Sequence, residues 1–464
     1  MSVREPGRSS LGLRLRAITF LAVLALVVGV FGASFSAGAF QDGVPSTPVL
    51  APNTATPSAE QIPRESEIFT PLGKIAPDGF RSYQLIIGLK PNADLSTIVG
   101  RWGFQVLAWL PEVRIALVGL DGIPDTRVMI EPISNDPDLE FVEANWVNKA
   151  PESRSAVAFS TQQQTGISPD YAYALTGASA TTCVDGSGVI VAVIDTGIDV
   201  THPDFAGSIS PDAYNAINNT NDASETANGI DDNGDGVVDA MYGHGTHVAG
   251  IISRVAPGAT ILPIKALNDE GIGDAFSLTT ALVYAGDHDA DVVNLSLSSP
   301  IDSEAVDTGV KYAEDAGAVV VAATGNDNTD TPKQYPAASH GVIGVASTGP
   351  DDVKSPFSNY GADISISAPG TDIESSLPPN TYGVASGTSM AAPFVSGAAA
   401  LLIQKEPGLS AEAVRTTLLE TAVSINTENP NYIGQLGAGR VNIVRAVGCQ
   451  EATPIATPFA TPQG

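Results

Sequence analysis

Positive charge is scarce in this chain: 22 Lys and Arg stand against 51 Asp and Glu, a formal net charge of −29 over 464 residues. Nucleic-acid binding needs a basic face to displace counterions from phosphates, so that class of partner is excluded. The excess acid instead fits solubility outside the cell, with some carboxylates recruited to calcium and most simply solvated. Cysteine is scarcer still. Cys183 and Cys449 are the only two, and an even count in an exported chain predicts a disulfide rather than two buried thiols. Closing so long a loop is worth roughly 5 kcal/mol in the chain-entropy account. Long apolar runs are absent but for one, residues 17–30. Arg4, Arg8, Arg14 and Arg16 precede it and Ser36-Ala37-Gly38-Ala39 follows. That is an export signal over 1–39, with cleavage before Phe40. The stretch is nearly long enough to span a bilayer, so an uncleaved anchor is the alternative, and membrane contact is expected only in that case. Either way the rest of the chain works outside the cytoplasm.

Two stretches bury no core. Residues 40–81 carry Pro45, Pro48, Pro52, Pro57 and Pro63, and 449–464 repeats Thr-Pro at 453–454, 457–458 and 461–462; both read as extended linkers. Residues 82–149 form a compact unit. A β-rich run at 83–89 precedes a helix within 91–103, a hairpin at 104–110 and 113–120, a second helix within 124–135 and a strand at 141–146. The order β-α-β-β-α-β is the ferredoxin-like arrangement of a small α+β domain, which by itself implies no function. Residues 150–165 are polar and read as structureless, the place for a maturation cut. From 166 to 448, apolar runs at 189–194, 260–267, 292–297, 318–323 and 341–346 alternate with helical stretches at 244–254, 274–288, 302–317, 389–405 and 410–423. Continuous runs of strand length are strands buried on both faces. The implied fold is a doubly wound, mostly parallel α/β sheet, with its functional groups beyond the carboxyl ends of the strands.

Asp195 falls at such an end, followed by Thr196-Gly197. Asp-Thr-Gly alone is only suggestive, since aspartic proteases also use it; those need a second such motif, and the one at Asp195 is read as standing alone. His244 opens a helix in Gly243-His244-Gly245-Thr246-His247. Two histidines three apart could bind zinc, but the HExxH glutamate is missing and no third ligand is evident. Ser389 lies in Gly387-Thr388-Ser389-Met390-Ala391-Ala392-Pro393. A serine hydroxyl is a poor nucleophile until a base takes its proton, and a helix N-terminus adds a dipole end and a free N–H for an oxyanion. Pro393 fits a first turn, which places the helix start near Ser389. Asn326, after the strand at 318–323 and Thr324-Gly325, offers a second oxyanion donor.

Together these residues resemble the subtilase family of serine proteases. The resemblance rests on VAVIDTGID (191–199), GHGTHVAG (243–250), VVNLSLSS (292–299), AATGN (322–326) and SGTSMAAPFVSGAAALL (386–402), and spans roughly 165–448. It implies that Asp195 orients His244, His244 shuttles the proton and Ser389 forms the acyl-enzyme. Asn326 and the Ser389 amide would hold the oxyanion. No cofactor is implied for catalysis. The same resemblance makes 82–149 an inhibitory propeptide, an intramolecular partner that assists folding and then blocks the cleft. A substrate strand would add between Gly271-Ile272-Gly273 and Ser296-Leu297-Ser298, with Ala323, Thr324 and Gly325 completing the binding set. Subtilases usually carry Gly where Ser298 stands, and a side chain there would narrow the pocket before the scissile bond. Serine-carboxyl proteases are set aside because their Glu and Asp are not found at these positions.

Asp204 matches a subtilase calcium ligand, but the partner loop that normally follows the histidine helix is missing. A second candidate lies in the insertion between Asp195 and His244, where Asp231, Asn233, Asp235, Val237 and Asp239 space oxygen donors as in the front half of an EF-hand loop. Tyr242 stands where the bidentate Glu belongs. Structural calcium is expected there. The whole reads as a secreted, monomeric serine endopeptidase acting on protein or peptide substrates and made as an autoprocessed zymogen. A silent binding protein of the same fold is the competing class; it would need a damaged triad or oxyanion position, and none is damaged.

Overall fold

The computed structural model describes residues 74–154, 168 and 170–449. The export signal, most of the first linker, residues 155–165 of the cleavage segment and the Thr-Pro tail after Cys449 lie outside the described residues. The N-terminal unit is the expected α+β arrangement: β1 (Phe80–Leu89), α1 (Leu95–Trp102), β2 (Gln105–Leu110), β3 (Ile115–Gly119), α2 (Ile130–Ser134) and β4 (Leu139–Lys149). Asp94 starts α1 by accepting from the Thr97 amide, and Gly103 ends it in the left-handed region. The strands are antiparallel in the order β2-β3-β1-β4. Leu85 and Ile87 of β1 pack with Ile98 and Ile133 on one face. Ile86, between them, points the other way and joins the core of the larger domain, as the two-residue strand period requires. Two boundaries differ from the sequence reading. β1 begins at Phe80, inside the expected linker, and Pro151–Arg154 form a 3-10 turn where the chain was read as structureless.

The larger domain continues with α3 (Tyr171–Thr176), β5 (Ile190–Asp195), β6 (Tyr214–Asn215), α4 (His244–Val255), β7 (Thr260–Lys265), β8 (Ile272–Asp274), α5 (Ala275–Asp287), β9 (Val292–Leu295) and α6 (Glu304–Asp315). Then follow β10 (Val319–Ala323), β11 (Ile343–Thr348), β12 (Ile366–Pro369), the hairpin β13 (Ile373–Leu377) and β14 (Thr381–Ala385), α7 (Thr388–Lys405), α8 (Ala411–Glu420) and α9 (Ile443–Ala446). Seven strands form a parallel sheet in the order β12-β11-β10-β9-β5-β7-β6. Val191 and Val193 of β5 face the layer of α4 and α7. Ala192 and Ile194 face that of α5 and α6. Burial on both faces is why β5 reads as an unbroken apolar run. From β5 the chain builds β7 on one side and β9 on the other, so the carboxyl end of β5 is the switch point where α/β sheets place their sites. Cys183 and Cys449 are bonded, with Cα atoms 6.0 Å apart, and join the segment before β5 to the chain just past α9.

Candidate active site

Asp195 is the last residue of β5, His244 the first of α4, and Ser389 lies in the first turn of α7. All three are fully buried. Asp195 Oδ1 accepts from His244 Nδ1 at 2.7 Å and from the Thr196 amide at 2.7 Å. The other edge of the imidazole, Nε2, lies 3.1 Å from Oε2 of Glu152, and Ser389 Oγ donates to the same oxygen at 2.7 Å. Asn326, just past β10, donates its Nδ2 to Glu152 Oε1 at 2.9 Å. Its Oδ1 is occupied by the amide and hydroxyl of Thr388, each at 2.9 Å, so the amide can turn only its NH₂ towards the cleft. Serine, histidine and asparagine thus aim at one point, and a side-chain carboxylate fills it. A Cβ on Gly387 would stand 1.7 Å from Glu152 Oε1, so only glycine leaves room there.

The charges follow from this geometry. Burial opposes a charge on His244, but Asp195 and Glu152 at its two nitrogens hold its pKa well above the ordinary value. Burial likewise opposes the Glu152 carboxylate, yet bonds from His244, Ser389 and Asn326 bring it below the usual range. The two form a buried ion pair. His247 is different: burial and the neighbouring His244 push it down to about 4. Its Nε2 faces the carbonyls of Ile373 and Gly383 within the core.

The segment leading to Glu152 enters as a strand. Val147, Asn148 and Lys149 pair antiparallel with Asp274, Gly273 and Ile272, and the Ala150 amide donates to Gly271 O at 2.8 Å. On its other edge Lys149 exchanges both main-chain bonds with Ser298. Both segments singled out from sequence therefore hold a strand between them, although here the strand comes from the chain itself. Ser298 is buried at the edge of this pairing.

A comparison with known families matches residues 186–441 to the Subtilase family. The chain belongs to that family. It is 33% identical over 337 residues to a thermophilic serine proteinase of Bacillus sp. (strain AK1), covering 70% of this chain and 77% of the relative. To thermitase of Thermoactinomyces vulgaris it is 37% identical over 273 residues, 57% of this chain and 90% of that one. The crystal structure of fervidolysin from Fervidobacterium pennivorans, a keratinolytic enzyme related to subtilisin, superposes with a TM-score of 0.65 at 24% identity. It covers 82% of this chain and 63% of fervidolysin. This subtilase is a serine-type endopeptidase, and its substrates are proteins or peptides.

The sequence holds a second Asp-Thr-Gly, at Asp307-Thr308-Gly309, but it lies inside α6 rather than at a strand end, so the paired loops of an aspartic protease are not formed. Two features of the subtilase site were not legible. Pro393 falls in the second turn of α7, not the first. It cannot donate to the Ser389 carbonyl four residues back, and Ser296 Oγ donates to that carbonyl instead, at 3.0 Å. The vacated helix bond ties the Ser389 backbone to Ser296. Thr388, which orients Asn326, was missed because its role depends on a contact across the cleft.

The residues expected as metal ligands make hydrogen bonds to nearby amides and hydroxyls. Asp204 spends its carboxylate on the hydroxyls of Ser376 and Tyr382, at 2.6 and 2.8 Å. In the insertion, Asp231 accepts from the amides of Gly234, Asp235 and Gly236. Asn233 and Asp235 serve the amides of Asp235 and Val237, and Asp239 serves those of Asn228 and Gly229. Among the described residues no group of three or more His, Cys, Asp or Glu is gathered to hold a metal ion.

Proposed function

We propose that this subtilase is exported and made as a zymogen that processes itself, with Asp195, His244 and Ser389 as acid, base and nucleophile. The observation that carries the assignment is the convergence of Ser389 Oγ, His244 Nε2 and Asn326 Nδ2 on the two oxygens of one carboxylate. With Glu152 gone, a substrate strand occupies the groove between Gly271–Gly273 and Ser296–Ser298. His244 takes the Ser389 proton as the hydroxyl attacks the scissile carbonyl, and returns it to the leaving amine. Asn326 donates to the oxyanion, Asp195 steadies the imidazolium, and water then releases the acyl group. Labelling with a serine-directed fluorophosphonate tests this. The matured chain should label and Ser389→Ala should not; a matured chain that stays unlabelled rejects the assignment.

The zymogen reading rests on how the N-terminal unit docks. Glu143 accepts from Ser303 Oγ and the Ala305 amide at the start of α6, and Asn145 accepts from the Phe276 amide at the start of α5. Arg81 pairs with the buried Asp274 at 3.1 Å. Two helix N-termini are thus capped by the same unit whose next residues fill the cleft. Burial pushes Glu143 up to about 7, against the bonds from Ser303 and Ala305. A carboxyl raised on folding adds stability that is complete below its unfolded value and is lost as pH rises through the folded one. The full chain carrying Ser389→Ala should therefore lose stability between pH 4.5 and about 7 relative to the same chain with Glu143→Gln, by on the order of 3 kcal/mol at the upper end, seen as a Tm that falls away from that of the variant. Parallel Tm profiles would reject the role.

Calcium belongs to this reading as the counter-charge of the insertion. Glu270 and Asp269, both buried, face the loop, and Glu270 accepts from the amides of Asp239 and Ala240. Burial first, then acidic neighbours, raise both carboxyls. An all-oxygen donor set of this kind suits a hard cation, which would draw Asp231, Asp235 and Asp239 off the backbone amides they now serve. EDTA should lower Tm measurably; an unmoved Tm removes calcium from the reading.

A further inference from the structure

We propose that Glu225 is a positioning residue for peptide hydrolysis: it locks the end of the strand that carries Asp195 to the first turn of the helix that presents His244. The inference rests on the protease reading above. Glu225 is buried and lies in the insertion between the two residues, in a stretch with no motif to mark it. Its Oε1 accepts from Thr196 Oγ at 2.5 Å and from the Gly243 amide at 2.7 Å. Its Oε2 accepts from the Thr246 amide at 2.9 Å and from the Thr246 hydroxyl. One carboxylate thus spans the residue after Asp195, the residue before His244 and the residue two beyond it.

The direction of these bonds matters. Each oxygen faces one main-chain N–H, which cannot be reversed, so both accept, the arrangement a carboxylate satisfies; burial raises its pKa, while the bonds from Thr196 and Thr246 and the nearby Lys265 favour the charged form. Because Thr196 gives its hydroxyl proton to Glu225, its oxygen lone pair is left to accept from the Gly245 amide, at 2.9 Å. The Thr196 amide meanwhile donates to Asp195 Oδ1. Contacts therefore run from Glu225 through Thr196 to Asp195 itself and to the residue after His244. Lys265, opposite Asp195 on β7, supplies the nearby positive charge and donates to the Thr196 carbonyl. The backbone is built for the contact. The Ile198 amide donates to Ala223 O and the Glu225 amide to Ile198 O, so the insertion runs along the chain just past Asp195. A Cβ on Gly197 would stand 2.7 Å from Ala223 O, and one on Gly245 would stand 2.1 Å from Gly197 O. Those two glycines let the three segments close on one another, and Glu225 is the side chain that joins them.

The test compares the matured parent with Glu225→Gln, Thr196→Val, Thr196→Ser and the Glu225→Gln/Thr196→Val double variant. Each is matured by added parent enzyme where needed, freed of it, and titrated for active sites with fluorophosphonate. A glutamine must turn its NH₂ towards an amide N–H, so Glu225→Gln should lower kcat per titrated site by about 10- to 100-fold. KM should hold within about twofold, because the substrate strand pairs with other segments. Thr196→Val should show the same split, Thr196→Ser should keep the parental kcat, and the double variant should be little worse than either single one. Parental kcat in Glu225→Gln, or losses that simply multiply in the double variant, would overturn the proposal. Should Glu225→Gln fail to fold, parental kcat in Thr196→Val overturns it equally. A parent that does not label fails the protease reading itself, which is a separate result.

Discussion

Ser389→Ala should lower kcat by roughly 10⁶-fold, the scale on which a triad acting as one unit collapses when its nucleophile is removed. The fold should survive, because Ser389 Oγ contributes one bond to Glu152 and a longer one, 3.3 Å, to Ser296 O, while the helix is anchored by apolar neighbours and by Ser296 on the Ser389 carbonyl. Some acceleration over water should remain, since Asn326 is fixed by Thr388 and still meets an oxyanion. Residual rates must be measured on protein expressed without any active copy, because traces of parent would swamp them. Mass analysis of the same protein decides a second point. If the chain matures itself, the alanine variant stays joined beyond Glu152; if it is cut normally in isolation, another protease does the processing.

Asp195→Asn should cost about 10⁴-fold in kcat and leave KM nearly unchanged. Asp195 Oδ1 already accepts from the Thr196 amide and from His244 Nδ1. An asparagine that kept its oxygen there would lose the charge. One that turned its NH₂ towards Nδ1 would force the imidazole to carry its proton on Nε2, facing the nucleophile it should deprotonate. The substrate groove is untouched in either case. The charge also sets the working pH. Burial opposes protonation of His244 and Asp195 favours it, so removing that charge lowers the histidine pKa. The acid limb of the kcat/KM profile should move to lower pH. A variant whose KM rises while kcat holds would contradict the assigned role.

Much of this was legible because the fold forces its signals into local sequence. A central parallel strand is buried on both faces, so β10 and β5 up to its terminal Asp195 had to be unbroken apolar runs and β9 an apolar run broken only by the buried Asn294, and the residues at their carboxyl ends were site candidates on topology alone. The glycines around His244 and Ser389 carry information for a similar reason: close approach leaves no side chain to choose. What stayed hidden depends on partners distant in sequence. β12 and the hairpin β13–β14 carry Ser367, Ser375 and Ser376 at buried positions, and their hydroxyls bond to Leu436 O, His247 O and Asp204. No apolar period marks them. Pro393 was read as a helix start because the serine hydroxyl that takes over its missing bond comes from Ser296. Glu152 and Glu225 look like any acidic residue in a chain with 51 of them. Only burial against specific donors sets them apart.

The bridge between Cys183 and Cys449 takes on a further meaning in an enzyme of this kind. A protease in solution is surrounded by copies of itself, and its commonest hazard is a loose end, since extended chain is what such a groove accepts. Here the segment leading into β5 is fastened to the chain just past α9, so fraying at one must drag against the other. The joint that closes the fold therefore also withholds from each molecule the stretched backbone its neighbours would cut.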